Sequence, residues 1–509
     1  MAGWHLIPPL ALAASICASF AGWHGDDISD HRSTTFATAA PAAGSAAGKK
    51  VRRYRSRPDL RPPAVRVTRR ATRTADGLVF VAPKGGSGQK GPMIVDNRGQ
   101  PVWFARAQDR VAMDFKVQHY RGRPVLTWFD GRAVKGWGRG TLVIADTSYR
   151  TIARVQAVGG RELDHHDSLI TPQGTALVFV YRPVRMSLAA VGGPRRGTVM
   201  DSVIQEVDIA TGRLLFEWNS LSHIGLRESY KPPPKSARDG YDYFHVNSVQ
   251  IDGDGDLVIS ARNTFAVYKI DRQTGAVIWR LGGKRSSFKM GRGTRFAWQH
   301  DARLDGAGRM TVFDNAAAPK VREQSRAIVL KLDRARKRVS LVRQYRHPRG
   351  LLAASQANAQ QLPNGSLLVG WGSEPYVTEF SRGGSVRLDL RLLAGNTSYR
   401  AYRFPWTGLP IRKPDLAVRK LRGGITVYAS WNGATSVAKW RVLAGPGPDS
   451  LRPVTERPRT GFETALRTRG GNRFVAVEAL DGAGNSLAVS HVVTLSSASG
   501  AGRLPQSPK

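Results

Sequence analysis

The chain has 509 residues, and its 77 Lys and Arg residues against 38 Asp and Glu residues give a formal net charge of +39. This length exceeds what a single hydrophobic core supports, and the one cysteine excludes an intramolecular disulfide and a zinc site built from thiolates. The charge favours anionic surfaces and small anionic substrates, whereas zinc-finger, helix-turn-helix and RNP patterns are absent from the sequence, so we expect no specific nucleic-acid partner.

The first 75 residues lack the pattern of a folded domain. An apolar run over 6–21 followed by small residues predicts a signal peptide over 1–24, which contains Cys17, and hence a secreted or cell-envelope protein. Residues 25–75 combine Ala, Gly, Ser and Thr with the run KKVRRYRSRPDLRPPAVRVTRRATR. This composition is typical of a flexible basic linker, suited to contact with an anionic cell surface.

Residues 76–410 alternate two kinds of β-hairpin. Copies of the first kind start near Val117, His166, His245, His300 and Ala357, with a degenerate copy at Leu78 to Pro83. Copies of the second kind lie at 93–105, 141–155, 202–218, 265–281, 327–342 and 376–390. Six such pairs predict an all-β fold with six units of four strands, a six-bladed β-propeller.

Two other all-β folds compete with the propeller. A long sandwich would not require a period, and the repeats of a β-helix are much shorter than the roughly 55 residues from His245 to His300. Two insertions, 183–198 and 220–241, explain the longer gap between His166 and His245. Loops of that length are commonly lids or binding loops.

After residue 410 the hairpin period stops. Short alternating apolar runs over 411–497 predict a small β-sandwich of the immunoglobulin or fibronectin type. The last residues, 498–509, have no core-forming pattern and are predicted to be disordered.

Three histidines stand at the same phase of the repeat: His166 in HDSLITPQGTALVFV, His245 in HVNSVQIDGDGDLVIS and His300 in HDARLDGAGRMTVFD. The first strand of each propeller blade lines the central channel, so the three rings are predicted to share one end of it. A simple hairpin register places Arg262 across from His245, and Asn247 lies on the same face. A guanidinium fork beside imidazole rings suits a tetrahedral oxyanion.

Two further motifs are better explained by structural roles than by ligand binding. The turn DGDGD at 252–256 imitates the start of an EF-hand loop but has Leu257 in place of the required Gly and Asn263 in place of Glu, so a tight turn is expected. Trp103, Trp218 and Trp279 stand on outer strands, which predicts packing between blades.

The ordered motifs resemble the bacterial arylsulfate sulfotransferases of the nucleotide-independent type. The matching pieces are HD at 166–167, HVNS at 245–248, SAR at 260–262 and QHD at 299–301. The similarity spans roughly residues 76–408.

The resemblance implies a ping-pong transfer of a sulfuryl group from a phenolic sulfate ester to a phenol through a sulfohistidine, with no metal and no cofactor. His300 would be the nucleophile, and His166 would assist at the phenolic oxygen. His165, directly beside it, is a further candidate for substrate binding. The residues implied to bind the sulfuryl oxygens are His245, Asn247 and Arg262.

Two alternatives of other classes stay open. His166, His245 and His300 could form the three-histidine metal site of a hydrolase or lyase, although Arg262 would repel a divalent metal unless an anion lay between them. A secreted, non-catalytic protein could instead bind sulfated or acidic glycans through the channel mouth and the basic linker.

Overall fold

The computed structural model describes residues 50–134 and 136–495, and these residues form β-strands joined by turns. Within them the helical segments are two short 3₁₀ turns, Ala189–Val191 and Leu226–Glu228. The all-β class predicted from the sequence is therefore confirmed. The predicted signal peptide, Cys17, residues 25–49 of the linker and the tail at 498–509 lie outside the described residues. None of the helices in the described ranges has the length and apolar character needed to span a membrane.

The strands alternate along the chain with tight turns. Up to residue 155 they are β1 (Val65–Arg69), β2 (Leu78–Lys84), β3 (Met93–Val95), β4 (Pro101–Phe104), β5 (Val111–Tyr120), β6 (Arg123–Val134), β7 (Trp137–Ala145) and β8 (Thr151–Val155). The next are β9 (Ser168–Ile170), β10 (Thr175–Met186), β11 (Gly197–Asp208), β12 (Leu214–Asn219), β13 (Gly240–Tyr241), β14 (Val246–Ile251), β15 (Leu257–Ala261), β16 (Ala266–Ile270) and β17 (Val277–Gly282).

The second half of the chain continues in the same manner. Its strands up to residue 404 are β18 (Lys289–Met290), β19 (His300–Leu304), β20 (Arg309–Asp314), β21 (Arg326–Asp333), β22 (Arg338–Tyr345), β23 (Asn358–Gln361), β24 (Leu367–Gly370), β25 (Tyr376–Phe380), β26 (Val386–Leu392) and β27 (Thr397–Phe404). The remainder are β28 (Asp415–Leu421), β29 (Gly424–Ser430), β30 (Lys439–Gly445), β31 (Arg452–Pro458), β32 (Glu463–Arg469), β33 (Phe474–Leu480), β34 (Ser486–Val489) and β35 (Val493–Thr494).

Strands β1 to β27 form six mainly antiparallel sheets. Their orders are β27-β2-β3-β4 (sheet 1), β5-β6-β7-β8 (sheet 2), β9-β10-β11-β12 with β13 beside β11 (sheet 3), β14-β15-β16-β17 (sheet 4), β19-β20-β21-β22-β18 (sheet 5) and β23-β24-β25-β26-β1 (sheet 6). Each of the six predicted second hairpins falls in a different sheet, as the repeat requires. The two ends of the insertion at 183–198 extend the β10–β11 hairpin, and residues 187–196 form the loop that closes it.

One edge strand of each sheet contacts that of the next, in the order β5, β9, β14, β19, β23, β27 and back to β5. Side-chain amides join these strands, because each accepts a backbone N–H from the neighbouring sheet. The bonds run to Gln118 from Ile170, to Gln250 from Leu304 and to Gln360 from Arg403, at 2.7–2.8 Å.

The sequence predicted a flexible linker over residues 25–75, and for residues 50–75 this prediction is wrong. Val51 bridges Pro63, and β1 pairs with β26 at the edge of sheet 6. In β1 the apolar side chains of Val65 and Val67 pack on the core, while Arg66 points outward. This alternation has the period of a strand, and the high positive charge of the segment concealed it.

Strands β28 to β35 form two further antiparallel sheets, β28-β29-β32 and β31-β30-β33-β34, with β35 also beside β33. Both sheets contribute side chains to one hydrophobic core, including Val427, Trp440 and Val477. Contacts join them to sheets 1 and 2: Asn432 exchanges two hydrogen bonds of 2.9 Å with the backbone of Phe104.

The DGDGD turn encloses an ammonium group. Lys269 Nζ lies 2.7 Å from Asp252 and 3.0 Å from Asp256 and also contacts Asp254. The side chain of Lys269 is only 5% exposed, so the cation among the three carboxylates is supplied by the chain itself.

A buried ionic network centred on Arg400 lies where several sheets meet. The guanidinium of Arg400, which is 0% exposed, is 3.1 Å from Asp114 and 3.2 Å from Asp167. It also approaches Asp301 at 3.7 Å and donates a 2.6 Å hydrogen bond to the carbonyl of Asn247. The network is completed by Lys116, which binds Asp114 and Asp167, and by Arg303, which binds Asp167 and Asp301.

We expect Arg400→Met to lower the free energy of unfolding by about 3 to 5 kcal/mol, because the substitution leaves buried carboxylates without their partner. Urea unfolding followed by tryptophan fluorescence measures the change. Arg419→Met, which removes an exposed cation from β28, is the matched control and should have little effect. Equal stabilities of the two variants would show that the network does not hold the sheets together.

Candidate active site

The three histidines predicted from the repeat lie together. One ring nitrogen of each of His166, His245 and His300 lies within 4.8 Å of the corresponding nitrogens of the other two. The ring centroids of His166 and His245 are 4.7 Å apart, and those of His166 and His300 are 6.5 Å apart. All three side chains are buried. The clustering follows from the repeat, since each histidine stands at or just before the edge strand of its own sheet.

A positive φ angle recurs at or near the start of three of the edge strands, β5, β14 and β19. His245 has φ of 62°, Asp301 has φ of 54° and Asp114 has φ of 52°, in three different sheets. Residues other than glycine seldom adopt positive φ, and such strain is typical of functional sites. In the HD pairs, the histidines belong to the cluster and the aspartates belong to the network around Arg400.

Acidic side chains orient two of the rings. Nδ1 of His166 is 2.6 Å from Asp164, and Nδ1 of His245 contacts Asp242. A carboxylate only accepts hydrogen bonds, so each Nδ1 carries the proton and each Nε2 is left for the cluster. Burial by itself raises the pKa of Asp164, but the neighbouring His166 and His165 hold this pKa below its usual range.

The ring of His300 is fixed by Asn315. Asn315 donates its amide hydrogens to the carbonyls of Ala353 and Gln356, at 3.0 and 3.1 Å, so its oxygen faces Nδ1 of His300 at 2.8 Å. Nδ1 is therefore the protonated nitrogen, and Nε2 carries the lone pair. Nε2 accepts a 3.2 Å hydrogen bond from the backbone N–H of Gln356. His300 is thus held in the tautomer that a nucleophile needs.

Burial favours the neutral form of the His300, His245 and His165 rings. It lowers the pKa of His300 well below the usual value, and the nearby guanidinium of Arg262 acts in the same direction. Burial also lowers the pKa of His245, although Asp242 opposes this, and it lowers the pKa of His165 to about 3. A neutral imidazole is the form that attacks an electrophile.

Arg262 lies where the hairpin register predicts. Its backbone N–H donates a 2.9 Å hydrogen bond to the carbonyl of His245. Its guanidinium donates to the side chain of Asn263 at 3.0 Å and makes longer contacts with the carbonyl oxygens of Ala317, Ala318 and Ala354. Burial lowers the pKa of Arg262 to about 10, so the group remains a cation at neutral pH. A positive charge therefore stands beside the histidines.

Asn247 and His165 have other surroundings. The amide of Asn247 donates to the carbonyl of Gln299 at 2.9 Å and its oxygen accepts the N–H of Asp301 at 3.3 Å, which joins β14 to β19. His165 stacks on His166 with ring centroids 4.3 Å apart. Its Nδ1 is buried and has no hydrogen-bond partner among the described residues.

The tip of the β6–β7 hairpin lies over the cluster. A Cβ atom on Gly136, whose φ is +97°, would stand 4.0 Å from Cε1 of His245. The N–H of Gly138 donates to Asp164 at 2.5 Å, and Trp137 stacks on Tyr181 at 5.7 Å. The ring of Tyr181 is 5.8 Å from His245. This hairpin therefore approaches His245 through Gly136, while Trp137 packs on Tyr181, the ring that lies beside His245.

The sequence alone did not identify the residues that orient the rings. Asp164 and Asp242 stand two and three positions before His166 and His245, a local signal that could have been used. Asn315 follows β20, and its approach to His300 depends on the hairpin register. The approach of Gln356, from the next sheet, has no local signal.

We predict that stability falls as the pH is lowered from about 6.5 to about 5, where free imidazole becomes protonated. The unfolded chain takes up protons on His165 and His300 in this range while the folded chain does not, and the lowered pKa of His245 acts in the same direction. Each lowered pKa therefore costs about 1.4 kcal/mol per pH unit. His165→Phe should reduce this slope and the exposed His119→Gln should not, as measured by urea unfolding at each pH. A slope that is the same in all three proteins would contradict the burial argument.

The profile of the Arylsulfotransferase (ASST) family matches residues 116–392. No curated protein sequence matches the chain. Among solved structures, a protein of unknown function from Bacteroides caccae is 15% identical, with a TM-score of 0.40, over 64% of this chain and 98% of its own.

Two further solved structures are similarly distant. A catalytically inactive virginiamycin B lyase from Staphylococcus aureus, with quinupristin, is 10% identical over 71% of this chain and 85% of its own, with a TM-score of 0.30. A protein from Lactobacillus plantarum is 11% identical over 78% of this chain and 100% of its own, with a TM-score of 0.34. These structures carry no argument about activity.

The family match covers more than half of the chain and includes His166, His245, Arg262 and His300. The chain belongs to the arylsulfotransferase (ASST) family.

Proposed function

We propose that this protein transfers a sulfuryl group from a phenolic sulfate ester to a phenolic acceptor through a sulfohistidine at His300. The observation that carries the proposal is the state of His300: a neutral, buried ring whose Nδ1 proton is held by Asn315 and whose Nε2 lone pair, among the described residues, accepts only a 3.2 Å hydrogen bond from the N–H of Gln356, which attack on sulfur would displace. Such a nitrogen attacks sulfur directly, and the chemistry needs no cofactor.

In the first half-reaction, Nε2 of His300 forms a bond to sulfur while the bond from sulfur to the aryl oxygen breaks. The electron pair of that bond leaves with the phenoxide. His166 in its protonated form delivers a proton from Nε2 to this oxygen, and Asp164, 2.6 Å from Nδ1, stabilises the positive charge on the ring. A phenoxide, with a conjugate-acid pKa of about 10, is a fair leaving group.

In the second half-reaction, neutral His166 removes the proton of the acceptor phenol as its oxygen attacks the sulfohistidine. The bond from nitrogen to sulfur breaks, and its electron pair returns to His300. His166 is protonated again, so the cycle closes without a net change in the protein.

The oxygens of the transferring group need fixed positive charge. Arg262 supplies a planar guanidinium beside His245 and His300, and His245 adds a ring oriented by Asp242. Asn247, whose amide is bound to Gln299, is proposed to hold β14 against β19 and so position His245 and His300.

We also propose that the six sheets are the blades of one β-propeller, and that β28 to β35 form a β-sandwich. The circular order of contacts from β5 to β27 and back supports the first, and the shared core of the two last sheets supports the second. Sheet 1 would close the ring, since it joins β27 to β2, β3 and β4.

A second candidate is a three-histidine metal site in a hydrolase or lyase. The favouring observation is that the Nδ1 atoms of His166 and His245 are held by carboxylates, as is common for metal-ligating histidines. Arg262 opposes it, because a divalent cation is repelled by a guanidinium so close to the ligands.

The test is release of nitrophenolate from para-nitrophenyl sulfate by the full chain, with and without added phenol, in the presence of a metal chelator. We expect release that rises with phenol and ignores the chelator. His300→Ala should lower the rate at least about a thousand-fold because the nucleophile is lost. The matched control is His119→Ala, which removes an exposed histidine of β5 and should leave the rate unchanged.

Three outcomes would contradict the proposal. Substantial turnover by His300→Ala would exclude this ring as the nucleophile. Release that stops with the chelator and returns with a divalent metal would favour the metal site. If no nitrophenolate is released with any donor or acceptor, a non-catalytic binding protein would explain the chain better.

Arg262→Lys should lower kcat about a hundred-fold, because a point charge cannot replace the two parallel donors of the guanidinium. The same substitution at the exposed Arg419 of β28 should change nothing. Steady-state kinetics with para-nitrophenyl sulfate measure this effect. Unaltered kinetics of Arg262→Lys would show that the guanidinium does not contact the sulfuryl group.

A further inference from the structure

A row of aromatic rings leads from Arg262 to the surface. The guanidinium of Arg262 lies 4.7 Å from the centre of the Trp298 ring. Trp298 meets Phe265 edge-on at 4.5 Å, and Phe265 stacks on Tyr230 at 4.1 Å with the planes 5° apart. Trp298 is 4% exposed and Tyr230 is 40% exposed, so the row runs outward from the cluster. We call Trp298, Phe265 and Tyr230 the aromatic strip.

The strip is held in a strained backbone. Phe265 has φ of 52° and Trp298 has φ of 53°, values that bulky side chains rarely adopt. The indole N–H of Trp298 donates to the carbonyl of Pro319 at 3.0 Å, which fixes its ring. Backbone strain of this kind persists where function requires the geometry.

The insertion at 220–241 supplies the outer ring of the strip. The backbone N–H of Tyr230 donates to the carbonyl of Asn263 at 2.7 Å, next to Arg262. The ammonium of Lys284 donates to the carbonyls of Ser229 at 2.6 Å and Arg227 at 3.0 Å. The insertion is therefore fastened to sheet 4, and the strip is formed before any ligand binds.

Lys284 stands at the outer end of the strip, with Nζ 5.0 Å from the centre of the Tyr230 ring. Arg295, which is exposed and stands three residues before Trp298, adds a second positive charge: burial raises the pKa of Tyr230, and the charge of Arg295 opposes this rise. Among the described residues neither cation has a carboxylate within ion-pair distance, whereas nearby Glu228 is engaged by Arg280 at 3.3 Å. The outer end of the strip is thus positively charged.

We propose that the aromatic strip is a specificity subsite for extended phenolic substrates, and that Lys284 and Arg295 bind a second anionic group at the far end of the molecule from the reacting oxygen. This inference rests on the proposed function and names its substrate class: phenols of two or more rings that carry a distal carboxylate or sulfate. The rings would lie along the partly exposed Phe265 and the exposed Tyr230, between Arg262 and Lys284, where a cation at each end suits an anion at each end.

Three acceptors separate the contributions of rings and charge. They are phenol, para-hydroxybiphenyl carboxylate and the methyl ester of that acid, each with para-nitrophenyl sulfate as donor. In the wild type we expect the lowest KM for the carboxylate. Arg295→Met should raise this KM about ten-fold, the equivalent of one lost ion pair, without changing kcat or the KM for the ester.

The variants have matched controls. Arg419→Met removes the same net charge from β28 and should leave all three KM values unchanged. Tyr230→Ala should raise KM for both biphenyl acceptors and leave that of phenol unchanged, because only the longer molecules reach the outer ring. Lys284→Met should act as Arg295→Met does, and circular dichroism checks that the insertion stays folded.

Binding separates this inference from the proposed function. If the wild type turns over none of the acceptors, the proposed function fails, and calorimetric titration of the biphenyl carboxylate and its ester still tests the strip. Tighter binding of the carboxylate that Arg295→Met abolishes would support the subsite. Equal affinities of the two ligands in the wild type, or a preference that survives in both Arg295→Met and Lys284→Met, would overturn it.

Discussion

Arg400 carries a positive charge in the interior of the molecule, and its surroundings explain how the sheets and the site are held in one arrangement. Its guanidinium reaches Asp114 of sheet 2, Asp167 at the start of sheet 3 and Asp301 of sheet 5, while Arg400 itself belongs to sheet 1. An apolar core packs each pair of neighbouring sheets, but apolar contacts alone do not fix the position of one sheet relative to the next. A charge shared among carboxylates of several sheets does, because moving one sheet would leave a buried ion unpaired.

The same network explains why two of the histidines are followed by aspartate. Asp167 and Asp301 anchor their strands to Arg400 and accept backbone N–H groups from the next sheet, at Val249 and Ala359. The preceding histidines then have little freedom, and Asp164 and Asn315 set the tautomers of their rings. The proposed reactivity of His300 depends on burial for neutrality, on Asn315 for orientation and on Arg262 for charge, three conditions that come from different parts of the chain.

The sequence predicted the all-β class, the hairpin period, the clustering of the three histidines and the position of Arg262, because a repeat carries residues of equal phase to equal places. The high positive charge of residues 50–75 led to the wrong prediction of a flexible linker. The apolar residues Val65 and Val67 alternate with basic and polar residues there, and this alternation marks a strand. Contacts between sheets were not predictable, since neither the approach of Gln356 to His300 nor the amide of Asn247 on Gln299 follows from local spacing. The aromatic strip was missed for the same reason: Tyr230, Phe265 and Trp298 are far apart in the sequence and meet only in the fold.

The proposed role of His300 as carrier of the sulfuryl group between donor and acceptor is tested most directly by mass spectrometry of the protein mixed with para-nitrophenyl sulfate in the absence of acceptor and denatured under alkaline conditions. We expect one added sulfuryl group on the peptide that contains His300, and this group should disappear when phenol is supplied before denaturation. Release of nitrophenolate without any modified histidine, or with the group on another residue, would contradict it.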